Sequence, residues 1–330
     1  MLKKAYLVES NSINPYHNLA LEEYLFNELP TDSIIFYLWQ NHHTVVIGKN
    51  QNAHKECDLK QMELDHCYLA RRSTGGGAVY HDLGNLNFTF ITSSDDHDIA
   101  FQSNIIINAL SSFNIQAVLS GRNDIEVDHK KISGNAFMVK DQKKLQHGTI
   151  LLNVDKNTLS KYLTVSKTKI AAKGVNSIKS RIENLTYFNP DINLDNLKTA
   201  LKRSFSTVYG LQLEPMIPHY QWQELIEKYH SYNYIYNRIP DYDLVLNARL
   251  SFGEIEVYVR IINNYIMDIK IFTDSLELDF IKRLQENLKL TFIDDIAFKA
   301  IIKRFLPEDK IYLDDTMKLL NMIKEENDGL

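Results

Sequence analysis

Three consecutive glycines, Gly75–Gly77, lie between two strand-like stretches, and no other feature constrains the fold of this chain as strongly. Glycine loses more conformational freedom on folding than any other residue, so a run of three is costly to order. Such a run suits a loop whose backbone lies very close to another group, or else a glycine bulge or hairpin corner. The sequence "NLNFTFI" (85–91) then alternates as a half-buried strand does.

The spacing of apolar residues predicts helices that alternate with strands along most of the chain. Helical spacing covers four stretches: Asn14–Leu29, Lys55–Glu63, Ala100–Phe113 and Asp195–Tyr209. Strands are indicated at Ile34–Trp39 and, after a polar turn, Thr44–Ile47, and further along at Cys67–Arg71 and His147–Val154. Hairpin-like strand pairs are too frequent for a doubly wound parallel sheet. We therefore predict a mixed α/β (α+β) fold, with a large domain whose mixed β-sheet is flanked by helices.

The character of the sequence changes at about 240–248. A hairpin over Gly253–Phe272 is followed there by amphipathic stretches at Leu276–Leu288 and Asp294–Phe305, which together indicate a small independent α+β domain. At 330 residues the chain exceeds a typical single domain, so one large and one smaller domain are expected. We predict a main domain over 1–245 and a small C-terminal accessory domain over 246–330.

The composition is that of an ordinary globular protein, with 44% hydrophobic and 24% charged residues. A net charge of −5 argues against a general nucleic-acid binder. The longest apolar runs fall short of the roughly 18–20 residues that a membrane span needs, and no signal-peptide pattern follows Met1. Because Cys57 and Cys67 are the only cysteines, we expect a reduced, cytoplasmic, monomeric protein without a membrane partner.

The charge is unevenly distributed along the chain. Between Val127 and Arg181 there are 12 Lys and Arg residues against three Asp, a local net charge of +9. A basic segment in an acidic protein indicates an anionic ligand or partner, although a solvated lysine-rich face has the same composition.

Several short stretches combine small residues with one charged or hydrogen-bonding side chain. Arg71 and Arg72 precede the glycines, and a guanidinium group suits phosphate or carboxylate. The other stretches are "SGRND" (120–124), "KKISGNA" (130–136), "QHGTILLN" (146–153) and "KIAAKGVNS" (169–177). The glycine loop fits neither a phosphate loop nor a convincing dinucleotide fingerprint, because it leads into a strand instead of a helix. Together the stretches indicate a site that holds a nucleotide and a second small molecule end to end.

Through these stretches the chain resembles the lipoate–protein ligases, which are relatives of the biotin–protein ligases. The resemblance is carried by "RRSTGGGAVYHDLGNLNFTF" (71–90), "SGRNDIEV" (120–127), "KKISGNAF" (130–137), "HGTILLN" (147–153) and "AAKGVNSIKSRIENL" (171–185). It implies that lipoate is activated by ATP to lipoyl-AMP with release of pyrophosphate, and that the lipoyl group then passes to a lysine of a carrier protein. The carriers it implies are acidic, namely the E2 lipoyl domains of 2-oxoacid dehydrogenases and glycine-cleavage H-type proteins.

The resemblance also implies which residues act. Lys131 matches the lysine that contacts both the lipoyl carbonyl and the phosphate, so it is the expected catalytic residue. ATP with Mg²⁺, together with lipoate, are the expected ligands, with no tightly bound cofactor. Asp124 is the candidate Mg²⁺ ligand, although it would equally suit the ribose or the attacking amine. The residues expected to bind ATP and lipoyl-adenylate are Arg72, Gly75, Gly76, Gly77, Ala78, Val79, Tyr80, Asn85, Asp124, Ser133, Gly134, His147, Gly148, Thr149 and Lys173.

Two other functions compete with this one. A lipoyl or octanoyl transferase of the same fold works through a cysteine thioester, but both cysteines here precede the glycines, so that function lacks its nucleophile. A non-catalytic lipoate-binding, nucleotide-binding or carrier-interaction protein would not need both Arg72 and Lys131.

Histidines near these stretches allow more than one interpretation. His147 is either a donor to the ligand or a packed core histidine. His81 and Asp82 are expected to shape the turn after the glycine loop. His42 and His43 have no further ligands at metal-binding spacing, so we expect no zinc site there.

Overall fold

The structure is a computed structural model that describes residues 2–93, 95, 98–121, 123–164, 182–218, 222–237, 239–305 and 307–328. The chain divides into two units. The first unit comprises Met1–Ile47, Ala53–Ser73 and Ala78–Ile235, and the second comprises Gly48–Asn52, Thr74–Gly77 and Tyr236–Leu330. Within the described ranges, no helix is both long enough and apolar enough to cross a membrane.

The first unit contains most of the strands and helices. Its strands are β1 (Lys4–Glu9), β2 (Ser33–Trp39), β3 (Thr44–Ile47), β4 (Tyr68–Arg71), β5 (Val79–His81), β6 (Asn85–Ser93), β7 (Val118–Ser120), β8 (Asp124–Val127), β9 (Lys130–Lys140), β10 (Lys143–Leu151) and β11 (Leu213–Pro215). Its helices are α1 (Pro15–Asn27), α2 (Ala53–Glu56), α3 (Leu59–Leu64), α4 (Ile99–Ser111), α5 (Lys156–Tyr162), α6 (Leu185–Phe188), α7 (Leu194–Tyr209), α8 (Gln223–His230) and α9 (Tyr232–Tyr236), which ends at the unit boundary. Asn14 caps α1 with its side chain, and Gly210 ends α7 with a φ of 65°.

Eight strands of the first unit form a mixed sheet in the order β11-β1-β2-β6-β10-β9-β8-β7. β1 pairs in parallel with β2 and β11, whereas β6, β10, β9 and β8 pair antiparallel with their neighbours. A separate three-stranded sheet has the order β4-β3-β5. The predicted fold class, a mixed sheet flanked by helices with a small second α+β region, is confirmed.

Both faces of the large sheet are covered by helices. On one face, Phe88 and Phe90 of β6 pack in a core that includes Phe205 of α7, whose ring lies 6.2 Å from that of Phe90. The other face packs against α1 through residues such as Leu25. Because side chains alternate along a strand, Asn87 and Thr89, on either side of Phe88, point to the α1 side of the sheet.

The C-terminal part of the second unit is an antiparallel sheet covered by helices. Its strands pair in the order β12 (Leu244–Leu250), β13 (Gly253–Ile262), β14 (Tyr265–Thr273) and β15 (Thr291–Phe292). Its helices are α10 (Leu278–Leu288), α11 (Asp295–Ile302) and α12 (Leu313–Asp328), with a 3₁₀ turn at Pro307–Tyr312. The β13–β14 turn uses Asn263 and Asn264 at φ of 51° and 61°, a conformation that asparagine tolerates. Val257, Phe280 and Leu319 belong to its own core.

Three elements differ from the sequence-based expectation. The single helix expected over Lys55–Glu63 is two short helices, because Asp58 interrupts it and caps α3 by accepting a hydrogen bond from the N–H of Gln61. The strand expected to be half-buried at 85–91 is β6, which is buried on both faces because helices cover both sides of the large sheet. The last amphipathic stretch that the sequence predicts ends at Phe305, yet α12 follows it and buries Leu319 in the core of the second unit.

The second unit shows what lies close to the glycine run. A Cβ on Gly75 would clash with the carbonyl oxygen of Ser275 and lie 3.0 Å from Cα of Leu276. The N–H of Gly76, at a φ of 88°, donates a hydrogen bond of 3.2 Å to the same Ser275 carbonyl. A Cβ on Gly77 would have no atom within 4 Å. The close approach that the glycine run predicts is therefore made at Gly75, by backbone of this same chain.

We expect Gly75→Ala to lower the free energy of unfolding of the second unit by about 1–3 kcal/mol, because the new methyl group overpacks against backbone that cannot rotate away. Gly77→Ala is the matched control, and its open surroundings predict a change within about 0.5 kcal/mol. Denaturant unfolding of both variants measures the difference. Equal losses would contradict the assignment of the close contact to Gly75.

Candidate active site

Polar and small residues line the α1-facing side of the large sheet over four neighbouring strands. Thr89 of β6 lies directly opposite His147 of β10. Two residues along, Asn87 lies opposite Thr149. Opposite residues of antiparallel strands point to the same face, and the β8–β9 and β9–β10 registers continue the pattern. We call this surface the polar face; it consists of Asn87 and Thr89 on β6, His147 and Thr149 on β10, Gly134 on β9 and Asp124 on β8.

A buried carboxylate on α1, Glu22, binds two residues of the polar face. Its Oε1 accepts a hydrogen bond of 2.6 Å from Oγ1 of Thr89 and lies 2.9 Å from Nδ1 of His147. The indole Nε1 of Trp39 donates to the same Thr89 hydroxyl at 3.0 Å. Glu22 is 1% exposed and His147 is 7% exposed, so little water competes for these contacts. His147 is thus buried and paired, and its strand position places it on the polar face.

The side chain of Lys131 lies along the polar face. Its Nζ is 2.8 Å from Oδ1 of Asp124. A Cβ on Gly134 would lie 2.7 Å from this Nζ and 2.8 Å from Cε, so the glycine leaves the space that the lysine occupies. The N–H of Glu183 donates a hydrogen bond of 3.0 Å to the backbone carbonyl of Lys131, which helps to hold β9 in place at this residue. The Lys131 side chain is 35% exposed, so its ammonium is accessible to a ligand.

Two buried basic residues flank the glycine run in sequence. Arg72 donates through Nη1 to the carbonyl of Val46 at 3.1 Å. Burial lowers the pKa of Arg72 to about 10, which leaves it protonated at neutral pH. Nδ1 of His81 lies 3.2 Å from Nδ2 of Asn41 and accepts its hydrogen bond, so Nε2 carries the ring proton. Burial first, and then the charges of Arg72 and His147, lower the pKa of His81 to about 3, so this histidine is neutral.

The residues predicted to form the site lie in several places. Asn85, two positions before Asn87 on β6, shares the polar face by strand alternation. Ser133 is paired with Ile125, whose side chain belongs to the phenylalanine-rich core on the other face. The Cβ that Gly148 lacks would point at the ring of Phe88 on that same other face. Ser133 and Gly148 therefore offer the polar face their backbone only.

The glycine motif is divided between the two units. Gly75, Gly76 and Gly77 belong to the second unit, whereas Ala78, Val79 and Tyr80 belong to the first. The hydroxyl of Tyr80 lies 2.9 Å from Nδ1 of His43, and its ring lies 5.8 Å from that of Tyr162. Asp82 shapes the following turn, since its Oδ1 accepts a hydrogen bond from the N–H of Gly84 at 2.8 Å. Lys173 lies outside the described residues.

Sequence reasoning missed Asn87, which lies on the polar face, and Glu22, which supports that face from α1. Glu22 lies at helical spacing from Leu19 and Phe26, which are buried on α1, and a carboxylate on the apolar side of a helix indicates a buried partner. This signal was present in the sequence. Asn87 alternates with Leu86 and Phe88, which marks its face but not its burial.

Neither cysteine is suited to act as a nucleophile. Cys57 and Cys67 are free thiols and both are buried. Burial raises the pKa of each thiol to about 12, so both are protonated at neutral pH. Since the thiolate is the reactive form, this supports the sequence-based argument against a thioester-forming transferase.

Two family profiles match the chain, and together they cover most of it. The profile described as the lipoyl protein ligase A/B catalytic domain matches residues 14–206. The profile described as the bacterial lipoate protein ligase C-terminus matches residues 239–323.

Individual proteins resemble the chain over most of its length. Lipoate-protein ligase A of Psychrobacter cryohalolentis is 37% identical to it, over 96% of this chain and 98% of that protein. The structure of P. falciparum LipL1 in complex with lipoate superimposes with a TM-score of 0.86 and 32% identity, over 97% of this chain and 99% of that one. A lipoate-protein ligase A bound with ATP gives a TM-score of 0.61 and 30% identity, over 72% and 99% respectively.

We expect Gly134→Ala to displace the Lys131 ammonium from Asp124 while the protein stays folded, because the new methyl group meets only the far end of a flexible side chain. A crystal structure would show the displacement, and the free energy of unfolding should change by less than about 1 kcal/mol. Gly84→Ala is the contrasting variant, since its methyl group would clash with the backbone carbonyl of Asn153 and should destabilise strongly. An unmoved Lys131 in Gly134→Ala would contradict the argument.

The buried neutral His81 predicts a pH dependence of stability. The unfolded chain takes up a proton on this residue near pH 6.5, whereas the folded protein does so only near pH 3. Folding is therefore favoured above pH 6.5, and the stabilisation is lost as the pH falls towards 3, at up to about 1.4 kcal/mol per pH unit. Denaturant unfolding at pH 7, 6 and 5 should show a steeper loss for the wild type than for His81→Gln. Parallel pH dependences would contradict the prediction.

Proposed function

The chain belongs to the lipoyl protein ligase A/B family, and from this membership we propose how its described residues carry out the family reaction. The chain is a ligase that attaches lipoate to protein. ATP activates the lipoate carboxylate as lipoyl-AMP with release of pyrophosphate, and the lipoyl group then passes to a lysine of a carrier protein. The two steps share one acyl group, so one set of residues serves both.

Adenylation joins two anions. An oxygen of the lipoate carboxylate bonds to the α-phosphorus of ATP, the bond from that phosphorus to the β-phosphate oxygen breaks, and pyrophosphate leaves with the electron pair. Positive charge is needed where the two anions meet. We assign this role to Lys131, whose ammonium contacts the acyl oxygen and the α-phosphate. Asp124 holds the ammonium over the polar face before the substrates bind.

The observation that carries the proposal is the position of the Lys131 ammonium over Gly134. A lysine without a specific role extends into water, because its ammonium is strongly hydrated and its stem is flexible. Here an acidic partner and a missing Cβ both favour one position on the polar face. His147, which Glu22 holds, and Thr149 lie beside it and are assigned to the lipoyl-adenylate.

The nucleotide contacts are assigned by the same reasoning. Arg72 stays protonated at neutral pH and suits the phosphates. Ser133 and Gly148 would act through backbone groups, because their side-chain positions face the apolar core. The remaining contacts in this proposal are Gly75, Gly76, Gly77, Ala78, Val79, Tyr80, Asn85 and Lys173.

Mg²⁺ enters with ATP as part of the substrate. This ion prefers oxygen ligands and is usually held by one or two carboxylates together with substrate phosphates. In the part of the chain that the structure describes, no three His, Cys, Asp or Glu side chains come together as a metal site. An ion held mainly by the ATP phosphates needs only one or two carboxylates from the protein. Asp124 is the carboxylate on the polar face that would lie nearest to it.

Transfer completes the reaction. The amine nitrogen of the carrier lysine bonds to the acyl carbon, the bond from that carbon to the AMP oxygen breaks, and AMP leaves with the electron pair while the amine loses a proton to solvent. We propose that the carrier is an acidic lipoyl domain of the E2 or H type. The local charge of +9 between Val127 and Arg181 favours an acidic partner, mainly through the association rate.

The proposal includes the organisation and setting of the protein. We assign catalysis to a domain over 1–245 and an accessory role to 246–330, with the chain acting as a monomer. We place the reaction in the cytoplasm, where ATP is abundant and where two unpaired buried cysteines are stable.

We expect Lys131→Met to reduce pyrophosphate release from ATP and lipoate, measured without carrier, by at least about 100-fold, because the charge that joins the two anions is lost. Circular dichroism should show an unchanged fold. Lys140→Met is the matched control, since Lys140 lies on the same strand with an exposed ammonium. Near-normal pyrophosphate release by Lys131→Met would show that Lys131 is not the catalytic residue. If the wild type released no pyrophosphate, the ligase function would be refuted.

A further inference from the structure

One side chain of the polar face keeps an unpaired hydrogen-bond donor. Nδ2 of Asn87 has no partner among the described residues, although Asn87 is only 2% exposed. The other end of its amide is fixed, because Oδ1 accepts a hydrogen bond of 3.0 Å from Nδ2 of Asn85. A buried N–H without an acceptor is costly, so native proteins seldom keep one unless something else satisfies it.

The hydroxyl neighbours of Asn87 have partners of their own, whereas Oδ1 of Asn85 has no partner among the described residues and does not hydrogen-bond to Nδ2 of Asn87. The hydroxyl of Thr89, the next residue on this face, donates to Glu22 and accepts from Trp39. The hydroxyl of Thr149, directly opposite Asn87, accepts a hydrogen bond of 3.4 Å from the N–H of Gly134. The acceptor that Asn87 lacks is therefore best supplied by a bound molecule.

Asn87 and Lys131 lie on either side of the same space. Thr149 stands between them on β10, opposite Asn87 on one side and hydrogen-bonded to Gly134 on the other. Neighbouring strands are about 4.8 Å apart, so Asn87 and Gly134 are separated by about 10 Å. The Lys131 ammonium lies over Gly134. An amide donor and an ammonium thus approach the space above Thr149 from opposite sides.

We propose that Asn87 donates its Nδ2–H to the carbonyl oxygen of the acyl group that is being activated and transferred. The inference rests on the proposed function and adds a catalytic residue to it. The carboxyl end of the substrate is the strong acceptor, because a saturated chain has none and a ring sulfur accepts only weakly. It is also the end that Lys131 contacts.

The hydrogen bond acts in both steps. During adenylation it holds the carboxylate oxygen that does not attack phosphorus, which directs the other oxygen to the phosphate. During transfer, attack by the amine turns the carbonyl oxygen into an oxyanion, and a positioned donor has its largest effect on such developing charge. The carbonyl reforms as AMP leaves with the electron pair. Asn87 neither gains nor loses a proton.

Two variants remove the donor in different ways. Asn87→Leu removes it with the same number of side-chain heavy atoms, and Asn87→Asp removes it while leaving an oxygen for the N–H of Asn85. We expect kcat/KM for pyrophosphate release, and for carrier acylation, to fall by about 100-fold in each. The loss should be equal with lipoate and with octanoate, because both share the carboxyl end.

Thermal unfolding separates a role in binding from a structural one. The free Asn87→Leu variant should stay close to the wild-type Tm, because it exchanges the unsatisfied N–H of Asn87 for that of Asn85, which loses its acceptor. The rise in Tm on adding octanoate should be smaller than in the wild type. A lowered Tm of the free variant with unchanged kcat/KM would show a structural amide and overturn the proposal.

Thr92→Val is the matched control. It removes a buried hydroxyl without a partner from the same strand, but on the opposite face by strand alternation. Its kinetics should equal those of the wild type. A loss in the Asn87 variants with lipoate but not with octanoate would overturn the proposal by placing Asn87 against the dithiolane ring.

A failure of the proposed function can be distinguished from a failure of this inference. If the proposed function is wrong, the wild type releases no pyrophosphate from ATP and lipoate. The Tm shift with octanoate still reports whether Asn87 binds a carboxylate, and equal shifts in the wild type and Asn87→Leu would overturn the inference.

Discussion

The buried carboxylate of Glu22 is the interaction on which the site depends. It is 1% exposed, so this buried polar group requires the hydrogen bond from Thr89 and the contact with His147. Those two residues lie directly opposite each other on β6 and β10. A one-residue slip of either strand would turn its side chains to the phenylalanine-rich face and take one of these two partners away from Glu22. The two contacts of Glu22 thus require the observed strand register, which builds the polar face.

Glycines serve the molecule in two different ways. At Gly134 the missing side chain makes room for the flexible end of Lys131, so the glycine sets the position of a charged group. At Gly75 the missing side chain makes room for the backbone of Ser275, so the glycine permits a packing contact of the second unit. Gly77, in the same run, has open space at its Cβ position. Three adjacent glycines in one motif therefore do not share one purpose.

Local signals in the sequence were reliable where the governing interaction is itself local. Asn14 caps the start of α1 and Gly210 caps the end of α7, both through contacts within a few residues. The mixed sheet follows from the spacing of apolar residues. The break at Asp58 was missed although its capping bond is short, because the helical spacing around it is continuous. Glu22 was missed although its place on the apolar side of α1 indicates a buried partner, because that partner, His147, is far away in the chain. Asn87 was missed because strand alternation marks its face but not its burial.

By itself, the sequence determined the fold class, the family and the group of residues around Lys131, since these depend on composition, periodicity and short ordered stretches. The roles of those residues are still proposals. Only the tertiary structure decided which of them share one face. Ser133 and Gly134 are neighbours in the chain, yet strand alternation turns one to the core and the other to Lys131. The pairing of distant strands sets that face, and no short stretch of sequence contains it.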